Sequence, residues 1–312
     1  MNSEVKSKQS RSFLGAVTAF IRRHPILCSV LLIFLLFWGM MWFFLYTPLL
    51  PYIHSRALID AIHQGDLEKA EDILEAHKDA VNTPEYIPSY LALMFECSPE
   101  YPLDYACMTG NADMVELLLN HGAEQVDERY ADCSAYFYTL REYHADDLKM
   151  VQLLLDAGFD PYFEGNSPLD SAVSFCPQDA NHEYDETMAL QVTEIVRLLY
   201  EAGEREGTHE ANTTYLLHSA VSCGNVALIG YLLNDVQMDV NKQLEYDGVT
   251  PLMRAVAPHW YDPVYDTNAD EVIQTLLAHD ADVTIQDHNG KTAYDYALES
   301  GADDLAALIK PN

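Results

Sequence analysis

The residues best able to do chemistry in this 312-residue chain are six cysteines, two His-Glu dipeptides and a run of carboxylates. His182-Glu183 and His209-Glu210 are isolated dipeptides, more typical of polar surface pairs than of metal ligands. The carboxylate run is Asp262, Asp266, Asp270 and Glu271. It could offer oxygen ligands to Ca²⁺, but it lacks the alternating ligands and central glycine of a calcium loop. The sequence contains no G-x-S-x-G, H-E-x-x-H, C-x-x-C or phosphate-binding-loop motif. We therefore expect no catalytic residue, no metal site, no cofactor and no enzyme activity.

Cysteine placement leaves disulfide pairing open. Cys28 lies in a long apolar run, and five cysteines follow it: Cys97, Cys107, Cys133, Cys176 and Cys223. In an oxidising compartment one or two disulfides are expected. Cys97 with Cys133 is the favoured pair, although equivalent positions in stacked layers lie about 10 Å apart, beyond disulfide reach without a bend. Cys107 and Cys223 lie in predicted helices and are interpreted as buried thiols.

Charge divides the chain into two parts. The whole sequence has 17 Lys and Arg against 49 Asp and Glu, a net charge of −32, which excludes a basic nucleic-acid binder. The first 49 residues hold five bases and one acid, which leaves a net charge of −36 for the remainder. The chain is 49% hydrophobic, enough to build a core rather than a disordered chain.

An uncharged run separates these two parts. Ile26–Tyr46 reads ILCSVLLIFLLFWGMMWFFLY, and a helix of this length spans about 31 Å, which matches a bilayer core. Trp38, Trp42 and Tyr46 are placed to form an aromatic belt. We interpret the run as an uncleaved single-pass anchor. The alternatives are a buried core helix or a cleaved signal peptide, and no clean small-residue cleavage site follows the run.

The basic flank predicts the orientation of this anchor. Five Lys and Arg precede the run, and only Arg56 follows it before Lys69, so the N-terminus is expected to stay cytosolic. The predicted organisation is a basic cytosolic segment at 1–24, a transmembrane helix at 25–48 and a soluble domain at 55–312. The soluble domain should then lie on the periplasmic, extracellular or luminal side.

The soluble part contains internal repeats. The middle residues of its "LLL"-like runs are spaced by 45, 36, 45, 33, 44 and 33, which indicates a period of 33 plus insertions. These residues are Ile73, Leu118, Leu154, Leu199, Leu232, Leu276 and Ile309. Fifteen residues before four of them stands L/Y-x-x-A, with a glycine four residues after its alanine, as in Leu103, Ala106 and Gly110. A small alanine lets two helices approach closely and the glycine ends a helix, so each repeat predicts a helix pair.

These repeats resemble ankyrin repeats, whose first helix carries T-P-L-H-x-A. The best copies are Thr250-Pro251-Leu252-Met253-Arg254-Ala255 and Ser167-Pro168-Leu169-Asp170-Ser171-Ala172. Second helices read MVELLLNHGAE and MVQLLLDAGFDP. The resemblance covers about 55–312 and predicts an all-α ankyrin solenoid of about seven helix pairs, preceded by the transmembrane helix. It implies protein–protein binding without intrinsic catalysis.

Departures from the repeat pattern predict where the chain leaves the solenoid. Unit three has Thr139 where the first-helix leucine belongs and Asp146 where the glycine belongs, so its first helix is placed only approximately, at 134–144. Insertions are predicted at 82–101 before unit two, and between the paired helices at 174–190 in unit four and 257–268 in unit six. The last two should emerge on one edge, about 20 Å apart.

The insertions of units four and six are the candidate binding site because both are acidic, aromatic and contain proline. Their aromatic anchors are Tyr184, Trp260, Tyr261 and Tyr265, and their acids are Glu183, Asp185, Glu186, Asp262 and Asp266. Exposed aromatics within charged rims are typical of binding hot spots and would suit a basic protein partner. The alternative is that the loops fold back and cap their own repeats.

Three functions fit this organisation. The leading hypothesis is a membrane-tethered ankyrin scaffold that holds a protein partner on the non-cytosolic side. The second is an immunity or inhibitor protein whose acidic face neutralises a basic toxin or membrane-attacking enzyme. The third is an auxiliary subunit of a transporter or redox system. The fold alone does not distinguish these three functions, since repeat proteins of the same fold bind unrelated partners.

Overall fold

The computed structural model describes residues 50–85, 101–125, 135–140, 143–161, 168–177, 184–206, 213–256 and 268–310. The predicted anchor at Ile26–Tyr46 and the basic segment at 1–24 lie outside these ranges. Among the helices of the described ranges, none combines the length and the apolar character needed to cross a membrane.

The described residues fold into fourteen α-helices and no β-strand, arranged as seven helix pairs. The first helices of the seven units are α1 (Leu50–Gln64), α3 (Pro102–Met108), α5 (Ala135–Thr139), α7 (Pro168–Val173), α9 (Thr213–Ser222), α11 (Pro251–Val256) and α13 (Ala293–Glu299). The second helices are α2 (Leu67–Ala76), α4 (Ala112–Asn120), α6 (Asp147–Asp156), α8 (Glu186–Glu206), α10 (Val226–Asn234), α12 (Ala269–Ala278) and α14 (Asp303–Leu308). A 3₁₀ helix at Lys78–Asn82 follows α2. The expected all-α helix-pair solenoid is confirmed for these residues.

Side-chain caps fix where the second helices begin. Asn111 accepts a hydrogen bond from the backbone N–H of Met114 at 3.0 Å, and Asn225 accepts one from Leu228 at 3.0 Å. Each cap satisfies a backbone donor that has no partner within the helix. The short turn before α4 and α10 therefore needs only a glycine followed by an asparagine, the pair found at 110–111 and 224–225.

The repeat positions form one continuous core. Leu58, Leu103, Leu217 and Leu252 from the first helices are at most 4% exposed. Leu118, Leu154, Leu199, Leu232 and Leu276 from the second helices are fully buried. In unit one the buried residue is Leu74 rather than Ile73, which is only partly buried. Burying one such side chain contributes about 1.5–3 kcal/mol, so stacking the layers supplies stability that one pair could not.

Neighbouring units stack helix on helix. First helices pack against first helices from α1 to α13, and second helices pack against second helices from α2 to α12. The connections from one unit to the next form one edge, which we call the finger edge. There Asn82, Gln125 and Asn241 each use the amide to bridge two units, as when Gln125 donates to the Asp160 carbonyl and accepts from the Asp160 N–H at 2.9 and 2.8 Å.

Unit three makes the turn between its two helices without a glycine. Its first helix, Ala135–Thr139, is shorter than the expected 134–144, and His144 already lies outside it. The backbone N–H of His144 donates to the buried carboxylate of Asp147 at 2.7 Å, which holds the turn that glycine makes elsewhere. The His144 ring packs against Gly110 of unit two, which has φ of +66°, and an added Cβ there would lie 2.5 Å from the ring.

Candidate protein-binding edge

The candidate site lies where the first helix of each unit connects to the second, which we call the turn edge. Units two and five make this connection in a few residues, at 109–111 and 223–225. Units four and six use longer segments, 174–185 and 257–268. Because unit five separates units four and six, the described ends of the two long connections lie on either side of one short turn.

The unit-four connection first packs backward onto unit three. Phe175 follows α7 and meets the Tyr143 ring edge-on, with centroids 6.2 Å apart. The Tyr143 hydroxyl donates to Oε1 of Gln191 on α8 at 2.5 Å, and Nε2 of Gln191 donates to the Ala145 carbonyl at 2.7 Å. Burial and the carboxylates of Asp185 and Asp147 raise the pKa of Tyr143. The start of the connection is therefore held by unit three.

The same connection is then bonded to unit five. Cys176 and Cys223 form a disulfide, with their Cα atoms 4.5 Å apart and a sequence separation of 47. Cys176 lies shortly after α7 and Cys223 directly after α9, so the bond joins the ends of two neighbouring first helices. The interpretation of Cys223 as a buried thiol is therefore wrong. The bend of the inserted chain after α7 brings together two residues that a regular stack would hold too far apart.

Two further predictions concern Cys107 and the pair of Cys97 with Cys133. Cys107 is fully buried in α3, as expected. The favoured pair, Cys97 and Cys133, lies outside the described residues.

The end of the unit-four connection also lies on unit five. Tyr184 is half-buried, and its phenol is hydrogen-bonded with the backbone of Val226 at the start of α10. Burial raises the pKa of Tyr184, and the nearby carboxylates of Glu271 and Glu186 raise it further. Since Glu271 belongs to α12, Tyr184 reaches across unit five to within electrostatic range of unit six.

Asp185 closes the connection and starts the next helix. Its N–H donates to the Pro177 carbonyl at 2.9 Å, and its Oδ1 accepts from the N–H groups of Thr187 and Met188 at 2.9 and 3.0 Å. This carboxylate is engaged in capping α8, so its role within the chain is structural.

The structure places three of the predicted site residues. Tyr184 and Asp185 are partly buried in the contacts above, and Glu186 is exposed at the first position of α8. Glu183, Trp260, Tyr261, Asp262, Tyr265 and Asp266 lie outside the described residues. Exposed Asp270 and Glu271 begin α12, so the turn edge carries acids on both sides of unit five.

Sequence reasoning missed the residues that hold this edge together. Phe175 and Tyr143 had no role assigned to them, the pairing of Cys176 was left open, and Cys223 had the wrong role. One signal was available for the disulfide, because Cys176 and Cys223 each follow the first helix of consecutive units. No pattern marked the contact of Tyr143 with Gln191, which depends on how the two units stack.

Stacked antiparallel helix pairs with short turns on one edge and longer fingers on the other define a helical-repeat solenoid. The sequence model described as "Ankyrin repeat" matches residues 100–129 and 247–288. No curated protein matches the sequence significantly.

Two solved structures share the fold. The human ASB11 ankyrin repeat domain has a TM-score of 0.55 and 18% identity, over 82% of this chain and 98% of that one. The ankyrin repeat domain of Bcl-3, described as a unique member of the IkappaB protein family, has a TM-score of 0.51 and 18% identity, over 80% and 97%. With the two matched segments and the seven helix pairs, these similarities show that the described residues have the ankyrin-repeat fold.

Proposed function

We propose that this protein is a single-pass, membrane-tethered scaffold that binds a basic protein partner on the non-cytosolic side of the membrane, without catalysis. The partner docks on the turn edge, between the long connections of units four and six. The observation that carries this proposal is the fixation of the unit-four connection onto unit five by Cys176–Cys223 and Tyr184.

Two independent features support the non-cytosolic location. Basic residues precede the predicted anchor at Ile26–Tyr46, which favours translocation of the domain that follows. A structural disulfide persists in the periplasm, the cell exterior or a secretory lumen and is rare in the cytosol. Both features point to the same side of the membrane.

Preorganisation supports binding at the turn edge. A long connection that had to become ordered on binding would lose affinity to conformational entropy. Contacts with unit three at one end and unit five at the other already hold the described ends of the unit-four connection. The two described ends of this connection are therefore already positioned beside unit five before a partner docks.

Charge supports a basic partner. Glu186, Asp270 and Glu271 are exposed around unit five, and the chain beyond the predicted anchor has a net charge of −36. Such a field accelerates association with a cationic surface and disfavours acidic partners.

The test is a comparison of captured partners between matched charge variants. Full-length protein in native membranes is crosslinked and purified, with Glu186→Lys and Glu271→Lys combined in one variant and Glu68→Lys and Glu71→Lys combined in the control. Glu68 and Glu71 are exposed on α2, at the far end of the stack. We expect the first variant to lose its main crosslinked partner and the control to retain it.

A second pair of variants tests the aromatic residues. Tyr261→Ala with Tyr265→Ala should weaken capture, whereas Tyr246→Ala on the finger edge should not, although Tyr246 is 64% exposed. Equal capture by all of these variants would rule out the turn edge as the docking surface. The captured partner also separates scaffold from inhibitor, because only an inhibitor predicts that the partner is harmful alone and loses activity when bound.

A further inference from the structure

A pair of histidines lies at the opposite end of the stack from unit seven. His54 on α1 and His77 directly after α2 stack face to face, with ring centroids 3.5 Å apart and 14° between the planes. One ring nitrogen from each histidine and a carboxylate oxygen of Asp79 all lie within 4.8 Å of one another. His77 and Asp79 lie 23 and 25 residues after His54 in the sequence, so no local motif indicates that the three side chains meet.

The His54 ring also has an unsatisfied polar atom. Its Nδ1 is buried and has no hydrogen-bond partner among the described residues. A buried polar atom without a partner destabilises the folded state, so a ligand at this ring would be favourable.

The local fold holds the backbone of the three residues in place. The two rings stack in nearly parallel planes, so they must turn about their side-chain bonds before both can point a nitrogen at one ion. The His77 N–H donates to the Ile73 carbonyl at 2.8 Å, and the His77 carbonyl accepts from Ala80 at 3.0 Å. Ser55, next to His54, donates its hydroxyl to the Thr83 carbonyl at 2.5 Å, which ties α1 to the 3₁₀ segment. The backbone on both sides of the cluster is therefore fixed before any ligand binds.

We infer that His54, His77 and Asp79 form a binding site for a divalent transition-metal ion of the Zn²⁺ type. Two imidazoles and one carboxylate suit Zn²⁺ rather than Mg²⁺ or Ca²⁺, which prefer all-oxygen sites. Three protein ligands leave one position of a tetrahedral ion for water or for another ligand. The bound ion would clamp α1 to the segment after α2 and so strengthen the first unit of the stack.

Zn²⁺ alone is the probe that tests this site. Full-length protein in detergent is stripped of metal with a chelator and titrated with Zn²⁺ against a chromogenic zinc indicator. We expect one tight site per chain, weakened at least about tenfold in His54→Phe and in His77→Phe. Phenylalanine keeps the stacked ring and removes the ligating nitrogen. Asp79→Asn should weaken binding less, and His63→Ala, an exposed histidine on the same helix, should not change it.

Thermal unfolding gives a second readout. Zn²⁺ should raise the unfolding midpoint of the wild type and of His63→Ala, and leave the midpoint of the His54→Phe, His77→Phe double variant unchanged. Ca²⁺ and Mg²⁺ should have no such effect. A double variant that folds and binds Zn²⁺ as tightly as the wild type would overturn the proposal, as would a wild type that shows no tight site.

Discussion

The two edges of the stack hold their neighbours together by different means. On the finger edge, Asn82, Gln125 and Asn241 repeat one device, a side-chain amide that donates to and accepts from the next unit. On the turn edge, units two to five are joined by unlike contacts: the packing of the His144 ring on Gly110, an aromatic pair and a disulfide. A contact that recurs from unit to unit is expected where the units only stack on one another. Contacts that differ from unit to unit indicate positions where the chain departs from the repeat.

Removing the disulfide should produce the largest change. A bond across 47 residues stabilises by about 4 kcal/mol on loop entropy, so Cys176→Ser with Cys223→Ser should lower the unfolding free energy by that order. Denaturant unfolding with and without a thiol reductant measures this loss of unfolding free energy. Reductant should destabilise the wild type and leave this double variant nearly unchanged. An equal effect of reductant on both proteins would show that this bond contributes nothing.

Asp147 should give unit three its own pH dependence. Burial raises the pKa of Asp147 from 3.8 to about 6, while hydrogen bonds from His144 partly oppose the shift. The folded state therefore holds the proton more tightly than the unfolded state. This group's stabilising contribution is complete below pH 4 and is lost as pH rises through about 6, a change of about 3 kcal/mol. Asp147→Asn should remove that dependence in denaturant titrations at pH 4 to 8; a parallel pH profile would contradict it.

Gly110→Ala should break the close approach of units two and three. The residue has φ of +66°, and its new Cβ would lie 2.5 Å from the His144 ring, so we expect a loss of about 2 kcal/mol. Gly122→Ala is the matched control, since Gly122 has φ of +84° and no atom within 4 Å of its added Cβ. It should cost about 1 kcal/mol by backbone strain alone. Thermal unfolding compares the two, and equal losses would mean that the His144 ring moves aside freely.

Asn241→Ala should have the smallest effect. It removes the hydrogen bonds to the Asp280 carbonyl at 3.3 Å and from the Asp282 N–H at 2.8 Å, both in an exposed finger. Solvent can replace them, so the expected loss is about 1 kcal/mol. Glu245→Ala, an exposed neighbour, is the control and should be close to neutral. A loss as large as that of the disulfide would remove the distinction between the two edges.

The regular part of the fold could be predicted because it repeats. Leu118 and Leu232 recur with a fixed relation to alanine and glycine, and that relation is enough to indicate helix pairs and a shared core. The sequence did not predict that Leu74 rather than Ile73 is the buried residue of unit one. The two residues are adjacent and both apolar, so which one faces the core depends on the rotation of the helix about its axis. Thr139 looked like a departure, yet it is fully buried with its hydroxyl bonded to the Ala135 carbonyl at 2.9 Å.

The candidate site was less predictable because long connections follow no period. Tyr184 stood out as an aromatic in an acidic loop, which predicts exposure, but it rests on the backbone of Val226. Asp185 was grouped with partner-binding acids, although its carboxylate caps α8. The disulfide depends on the path of the chain after α7, and that path is set by contacts with two other units.

The Cys176–Cys223 bond also changes what a cut in the polypeptide would do. It encloses all of α8 and α9 in a covalent ring, from the end of unit four's first helix to the end of unit five's. A protease that cleaved the backbone anywhere between those cysteines would leave two pieces still joined. The pieces would migrate together in a denaturing gel and separate only after reduction, so a nicked molecule would keep its N-terminal and C-terminal parts covalently joined.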